Sequence, residues 1–560
     1  MSKSRILLVI SILVASLIPL QSVTAADIPD EQFSLFDTWE IEHPADKGDQ
    51  TVGAWFNDFG FNAVAQASYL VDEGNPGVNI CASIDACPKG TKFVAISMLH
   101  FCSDATEINC IITAYAKNSA GKRIEYTNRR YVPADQEKVF PGDPDYRLPQ
   151  GSTASLGTFQ GVKNLGGNEN YTVAAYVIQR FTITDRATKS VQSADPLFLA
   201  NITGVNLETG NYSPRKYLPN DYESSVKNTE CVILDNNLCG KPVALPSDTS
   251  FALALRMNTQ FYGWLHGRLS NATFTQIRST DKYSEFEISG EGSKVPSALA
   301  KTTLSQMSEE EWAGLIGGGG KPSPTNYGSK NIPPILQVVA SVRGTYMMNS
   351  FNLMQKYINE KAISMPTFWS VRNVESGQVT NASGQKGLDC LYKFGGNKGK
   401  ILGFVNTNAT AYTSGPPTFN ESEGALEYRV AAPHLAKDGS EFKGMYSLQI
   451  DSNVARCMFG TIGTAVKATV TVLNKTGQNT LSTTTVNESN GMFKFLAAGF
   501  TFSSPTIRVK LENAPVVTAS PTPVVQKPAS VTKKITCVKG KTVKTVSGVN
   551  PKCPSGFKKK

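Results

Sequence analysis

Residues 92–102 read KFVAISMLHFC and residues 171–184 read YTVAAYVIQRFTIT. In an extended chain, successive side chains point to opposite faces. The first stretch then puts Val94, Ile96, Met98 and His100 on one face, and Phe93, Ala95, Leu99 and Phe101 on the other. The second sends Tyr171, Val173, Ala175, Val177, Phe181 and Ile183 one way. A strand apolar on both faces belongs inside a sandwich, because a wetted strand alternates apolar with polar. Seven residues separate Cys102 from Cys110, where a second strand, CIITAYA, begins, so a disulfide there would pin the ends of a hairpin. Segments 26–215 and 216–305 both read as β-rich, the latter through FALALRM, FYGWLHGRL, FTQI and SEFEISG.

The pattern changes at 306–384. Ser308-Glu-Glu-Glu311 has the spacing of a capping box and opens a short helix that must stop at glycines 317–320. Pro334 suits the first turn of a longer helix, about 334–361. Its stripe is Ile335, Val339, Val342, Tyr346, Phe351, Met354 and Ile358, with a break expected near Gly344. Residues 385–512 return to strands and read as a β-sandwich-like domain. AVKATVTVL, a turn at Asn474–Gly477, MFKFLAAGFTF and PTIRVKLE close it, with Ile507, Val509 and Leu511 facing in. Four prolines make 513–532 an extended linker. The expected class is mainly β and multi-domain: a sandwich-like body, one longer helix in the middle and a small disulfide-stapled tail at 533–560.

The formal charge of +9 is unevenly placed. Residues 521–560 hold ten lysines and no acid, while 27–520 carry 43 basic against 46 acidic residues. The body is therefore near neutral, and the charge belongs to the ends. Lys3 and Arg5 precede an apolar run from Ile6 to Leu20, and Val23-Thr24-Ala25 offers small residues for cleavage. Residues 1–25 read as a signal peptide, too short to span a bilayer, with no later segment apolar enough to do so.

The ten cysteines lie outside that segment, and an even count in an exported chain implies disulfides. Spacing favours sequential pairing: Cys81–Cys87, Cys102–Cys110, Cys231–Cys239, Cys390–Cys457 and Cys537–Cys553. The Cys390–Cys457 bridge is expected to link the sheets of its domain. No C-x-x-C or zinc-finger spacing of Cys and His occurs, so no metal is expected.

The tail, KKITCVKGKTVKTVSGVNPKCPSGFKKK, is too short to fold without a staple. A hairpin with Lys539–Lys541 at its turn is expected. Lys539, Lys541 and Lys544 then spread charge over a small knob suited to an anionic cell-wall polymer. Phe557 is its only aromatic, which leaves no stacking platform for nucleic acid. The pattern I-T-C-V-K-G-K…P-x-C-P-x-G-[FY]-K-K-K resembles a module that ends many secreted actinobacterial proteins of otherwise unrelated body. The stretch Phe500-Thr-Phe-Ser-Ser-Pro-Thr-Ile-Arg-Val-Lys-Leu511 is similar to the end of β domains in such proteins. The resemblance implies an exported protein with an accessory module, and it carries over no catalytic residue.

Chemistry is sparse. The chain has no G-x-S-x-G elbow, H-E-x-x-H, P-loop or EF-hand loop, and nothing calls for a cofactor. Of four histidines, His100 reads as a core residue. Trp264, His266 and Arg268 share one face of a strand, either lining a pocket edge or forming the outer face of a sheet. The expected function is a secreted or cell-wall-associated binding or structural protein held partly by its tail. The alternative is an extracellular hydrolase of glycan or cell-wall polymer, whose two carboxylates sequence distance does not reveal.

Overall fold

The computed structural model describes residues 30–31, 51–58, 68–73, 79–132, 139–193, 196–210, 231–235, 237–258, 263–316, 335–339, 345–398, 400–460, 466–473, 479–481, 485–502, 505–513 and 533–560. The signal-peptide reading, the Asn474–Gly477 turn and the linker prolines lie outside them. The protein is mainly β, 55% strand against 12% helix. It divides into two compact units, Met1–Glu512 and Asn513–Lys560.

The doubly apolar strands are central, as their composition requires. In Lys92–Met98, Ile96 and Met98 enter one core while Phe93 and Ala95 enter another. In Asn170–Asp185, Tyr171, Val173, Ala175 and Val177 face one core and Ala174 and Tyr176 a second.

Asn170–Asp185 belongs to a ring of antiparallel pairings that closes on itself. From it the ring runs through Leu197–Thr209, Ser370–Asn373, Trp264–Ser279, Tyr283–Lys294, Ser250–Asn258, Cys110–Lys117, Arg123–Val132 and Ala154–Phe159, then returns. The interior of this barrel is filled by Phe159, Tyr171, Phe198, Phe251, Phe286 and Trp369 among others. The Trp369 indole donates to the carbonyls of Phe251 and Gly290 at 3.2 and 3.0 Å. A small barrel packed this way is a core and not a channel.

The barrel draws strands from 26–215, 216–305 and 306–384, so the expected divisions at 215 and 305 do not separate compact units. Closure depends on Ser370–Asn373, four residues that bridge Leu197–Thr209 and Trp264–Ser279. Outside the barrel, Trp264–Ser279 also pairs in parallel with Gly403–Thr407. That strand continues a layer through Lys443–Asp451 and Met492–Thr501. A second sheet containing Ala411–Tyr412, Ala425–Ala431 and Thr506–Asn513 shares its core, into which Tyr428, Leu448, Phe495, Ile507, Val509 and Leu511 are buried. This is the expected sandwich, but it is continuous with the barrel.

Two expectations are corrected. The long helix at 334–361 is instead a strand, Ile335–Val339, then a helix, Thr345–Met354, which begins directly after Gly344. Ile335-Leu-Gln-Val-Val satisfies helical spacing, yet its β-branched residues also suit a strand, and Thr51–Phe56 supplies a parallel partner. The Cys390–Cys457 disulfide joins two helices, Gly384–Lys393 and Ser452–Phe459, and not two sheets. The second helix is capped by Asp451, whose side chain accepts from the amides of Asn453 and Val454.

Two local readings hold among the described residues. All five disulfides pair sequentially and no cysteine is free. Helix Glu309–Ile316 starts with the reciprocal bonds of a capping box: Glu311 N to Ser308 Oγ at 3.1 Å and Ser308 N to Glu311 Oε2 at 2.9 Å.

Candidate functional site

Residues Trp264 to Arg268 alternate between two interiors. Leu265 faces the barrel core, while Trp264, His266 and Arg268 point into the layer between the barrel and the outer sheet. They are 0%, 3% and 2% exposed, which excludes the outer face of a sheet. Trp264 lies across its parallel partner Gly403, where an added Cβ would come within 2.2 Å of the indole. Only glycine fits there.

Arg268 is the hub of the cluster. Its Nε donates to Asp58 Oδ2 at 2.5 Å, its Nη1 to the carbonyls of Thr407 and Ala409 at 2.8 and 2.5 Å, and its Nη2 to that of Thr410 at 3.3 Å. The guanidinium also sits 4.4 Å from the centre of the Tyr412 ring. Arg372, directly across the ladder from His266, donates to the Tyr412 hydroxyl from Nε at 3.2 Å and Nη2 at 3.0 Å. Tyr412 is thus held between two arginines, with the His266 ring stacked at 5.1 Å.

His266 is neutral. Burial and then the Arg372 charge hold its pKa well below the ordinary histidine value. Its contacts assign the tautomer: Nε2–H donates to the Gly415 carbonyl at 3.1 Å, and Nδ1 accepts from the Tyr428 hydroxyl at 3.3 Å. With both nitrogens engaged, it has no position free for a substrate.

The cavity beside this cluster, lined by Asp58, Asn201, His266, Arg268, Arg372 and Tyr412, measures about 20 Å³. That is room for roughly one water molecule. Trp264, His266 and Arg268 therefore form a buried polar joint between barrel and sandwich. Sequence reasoning missed Asp58, Arg372, Tyr412 and Tyr428, which are isolated in the sequence and carry no local signal. A larger cavity of about 300 Å³ lies at Asp145, Arg147, Gln179 and Lys189. Asp145 is the one carboxylate among its lining residues, and it is paired to Lys189 Nζ at 2.5 Å. Neither cavity offers the two facing carboxylates that glycoside hydrolysis needs.

His100 is buried as expected, with Nε2 2.6 Å from Glu107 Oε1. Glu107 also accepts from the Ser103 amide and hydroxyl at 2.7 and 2.9 Å; partial burial pushes its carboxyl up, but these bonds together with His100 outweigh it and hold the carboxyl below the usual range. Among the described residues no group of three or more His, Cys, Asp or Glu is placed to hold a metal ion.

The tail unit is a three-stranded sheet. Lys533–Lys539 pairs with Thr542–Gly548 on one side and Lys558–Lys559 on the other. The hairpin turns at Gly540 and Lys541, with Gly540 in the left-handed region at φ +60°. Cys537 is fully buried by its bridge to Cys553. Lys539, Lys541 and Lys544 are all exposed, and Lys544 Nζ lies 5.6 Å from the Phe557 ring centre. Nine lysines and no Asp or Glu fall within 533–560, so no side-chain carboxylate of this segment offsets their charge. No protein-family model matches the chain, and none of the curated proteins is similar enough to it to count as a relative.

Proposed function

We propose that this chain is an exported, β-rich binding or structural protein of the cell envelope, held to an anionic envelope polymer by its C-terminal module. The carrying observation is the tail: a separate unit, stapled by Cys537–Cys553, with nine lysines and no acid. A sheet of this kind presents a positive field that falls off over a Debye length of about 8 Å at physiological ionic strength, so it works by contact.

Export is supported by the signal-like residues 1–25 and by five disulfides without a free cysteine, which fit an oxidising compartment. Among the described residues no helix is long and apolar enough to cross a membrane. The likeness of the tail to modules of secreted actinobacterial proteins points the same way. The body's polar cluster favours a rigid scaffold, since its histidine and arginines are consumed by protein contacts.

Co-sedimentation of the mature chain with purified envelope polymer tests this reading. The full chain pellets at low salt and is released as salt rises, and a chain ending at residue 532 stays in the supernatant. Equal pelleting of both chains refutes it.

A further inference from the structure

Two turns of the body share one design. In residues 143–148 the Asp143 carboxylate accepts from the amides of Asp145 and Tyr146 at 3.0 and 3.4 Å, and the Arg147 amide donates to the Pro144 carbonyl at 3.1 Å. In residues 185–190 the Asp185 carboxylate accepts from the amides of Ala187 and Thr188 at 2.8 and 3.4 Å, and the Lys189 amide donates to the Arg186 carbonyl at 3.4 Å. Each turn places a basic residue, four positions after its aspartate, in the left-handed region: Arg147 at φ +54° and Lys189 at φ +51°. Glycine or asparagine is the ordinary occupant of that conformation. Of the seven non-glycine residues that adopt it among the described residues, five are asparagine, and the other two are Arg147 and Lys189.

Both of these line one cavity, that of about 300 Å³ beside Asp145 and Gln179, a volume at the small end of ligand pockets. A residue held in a disfavoured backbone conformation points to a use for its side chain. Asp145 is paired with Lys189, which leaves Arg147 as the unbalanced charge of the lining. Among the described residues nothing pairs with its guanidinium. Gln179 is 4% exposed, its Nε2 donates to the Arg147 carbonyl at 3.2 Å, and its Oε1 has no hydrogen-bond partner. A buried acceptor without a donor is costly to fold and calls for a reason. Ser190 and Ser193 add exposed hydroxyls to the lining.

We propose that this cavity binds a small carboxylate bearing several hydroxyls, such as a sugar acid. Arg147 takes the carboxylate through paired N–H donors, the geometry in which guanidinium binds this group best. Asp145 and Gln179 Oε1 accept from the hydroxyls, and the two serines complete their pairing. A neutral sugar leaves Arg147 without its anion, and a carboxylate without hydroxyls leaves the acceptors empty. A cavity of this volume holds one such unit and meets a long polymer only at its chain end, so the site is separate from the hold exerted by the tail.

The test is titration calorimetry of the full mature chain with glucuronate, glucose and acetate. Glucuronate is expected to bind saturably, about tenfold or more tighter than either of the others. Arg147→Asn removes the guanidinium and suits the left-handed turn, so it should weaken glucuronate about tenfold or more with melting temperature unchanged or raised. Lys163→Gln removes the same charge at an exposed residue outside the lining, and its affinity should stay within about twofold of the parent. No saturable binding of glucuronate, equal affinity for glucose or acetate, or full affinity in Arg147→Asn each overturns the assignment. A loss of binding in Arg147→Asn accompanied by a fall in melting temperature, or matched by Lys163→Gln, overturns it too.

Discussion

Replacing Arg268 with Met keeps most of the stem volume and removes the guanidinium. The Asp58 carboxylate loses its partner, and the carbonyls of Thr407, Ala409 and Thr410 lose their donors. Breaking a buried pair by deleting one member costs about 3–5 kcal/mol, because the surviving charge is left without compensation. For a unit of about 500 residues, an unfolding entropy of about 2.1 cal/mol/K per residue gives roughly 1 kcal/mol/K. The same loss therefore moves Tm by only about 3–5 °C, which makes urea titration the more sensitive assay. Adding Asp58→Asn to the same chain removes the stranded charge, and about half the loss or more should return. If Arg268→Met unfolds within about 0.5 kcal/mol of the parent, the range of an ordinary surface change, then Arg268 is not a structural hub. The cluster would then have to be reconsidered as a binding site.

His266 gives a pH signature. Its folded pKa is depressed, so the unfolded chain takes up a proton first. The stability it contributes is complete above about pH 6.5 and falls by about 1.4 kcal/mol per unit as pH drops below that. His266→Gln should flatten this part of the stability profile relative to the parent; an unchanged slope contradicts a neutral buried imidazole. Glu31 has the opposite sense. Its Oε1 accepts from the Thr367 amide at 2.9 Å, and burial raises its pKa to about 8. Docking of Asp30–Glu31 on Met365–Thr367 should thus be complete below pH 4.5 and weaken as pH rises through 8. Amide exchange at Thr367, corrected for intrinsic rate, should show the loosening in the parent and not in Glu31→Gln. Finally, the Cys390–Cys457 bridge closes 67 residues and contributes about 4 kcal/mol in the chain-entropy model. The Cys390→Ser/Cys457→Ser double variant should lower the urea midpoint more than the Cys81/Cys87 pair, which closes 6 residues.

Local chemistry was legible in the sequence and long-range closure was not. Lys92–Met98 and Asn170–Asp185 could be read as buried strands because alternation is a property of the segment itself. The capping box at Ser308 and the tail hairpin are likewise set within a few residues. Ser370-Val-Arg-Asn373 holds the barrel shut, yet its four residues carry no strand pattern, and their role exists only through partner residues on two strands, all more than 100 residues earlier in the chain. Ile335–Val339 satisfied two periodicities at once, and the partner that decided between them, Thr51–Phe56, is nearly 300 residues distant. The same applies to the site. Trp264, His266 and Arg268 stood out as a cluster in sequence, but Asp58, Arg372 and Tyr412, which determine what the cluster does, are brought there by topology alone.

Under the proposed function, the charged tail and not the body holds the protein to its target. The most direct measurement is the equilibrium affinity of the full chain for an anionic envelope polymer as a function of salt, beside a chain ending at residue 532. Full-chain affinity is expected to fall tenfold or more between about 50 and about 300 mM salt, with no measurable binding by the shortened chain. Salt-independent binding, or binding retained without residues 533–560, would contradict it.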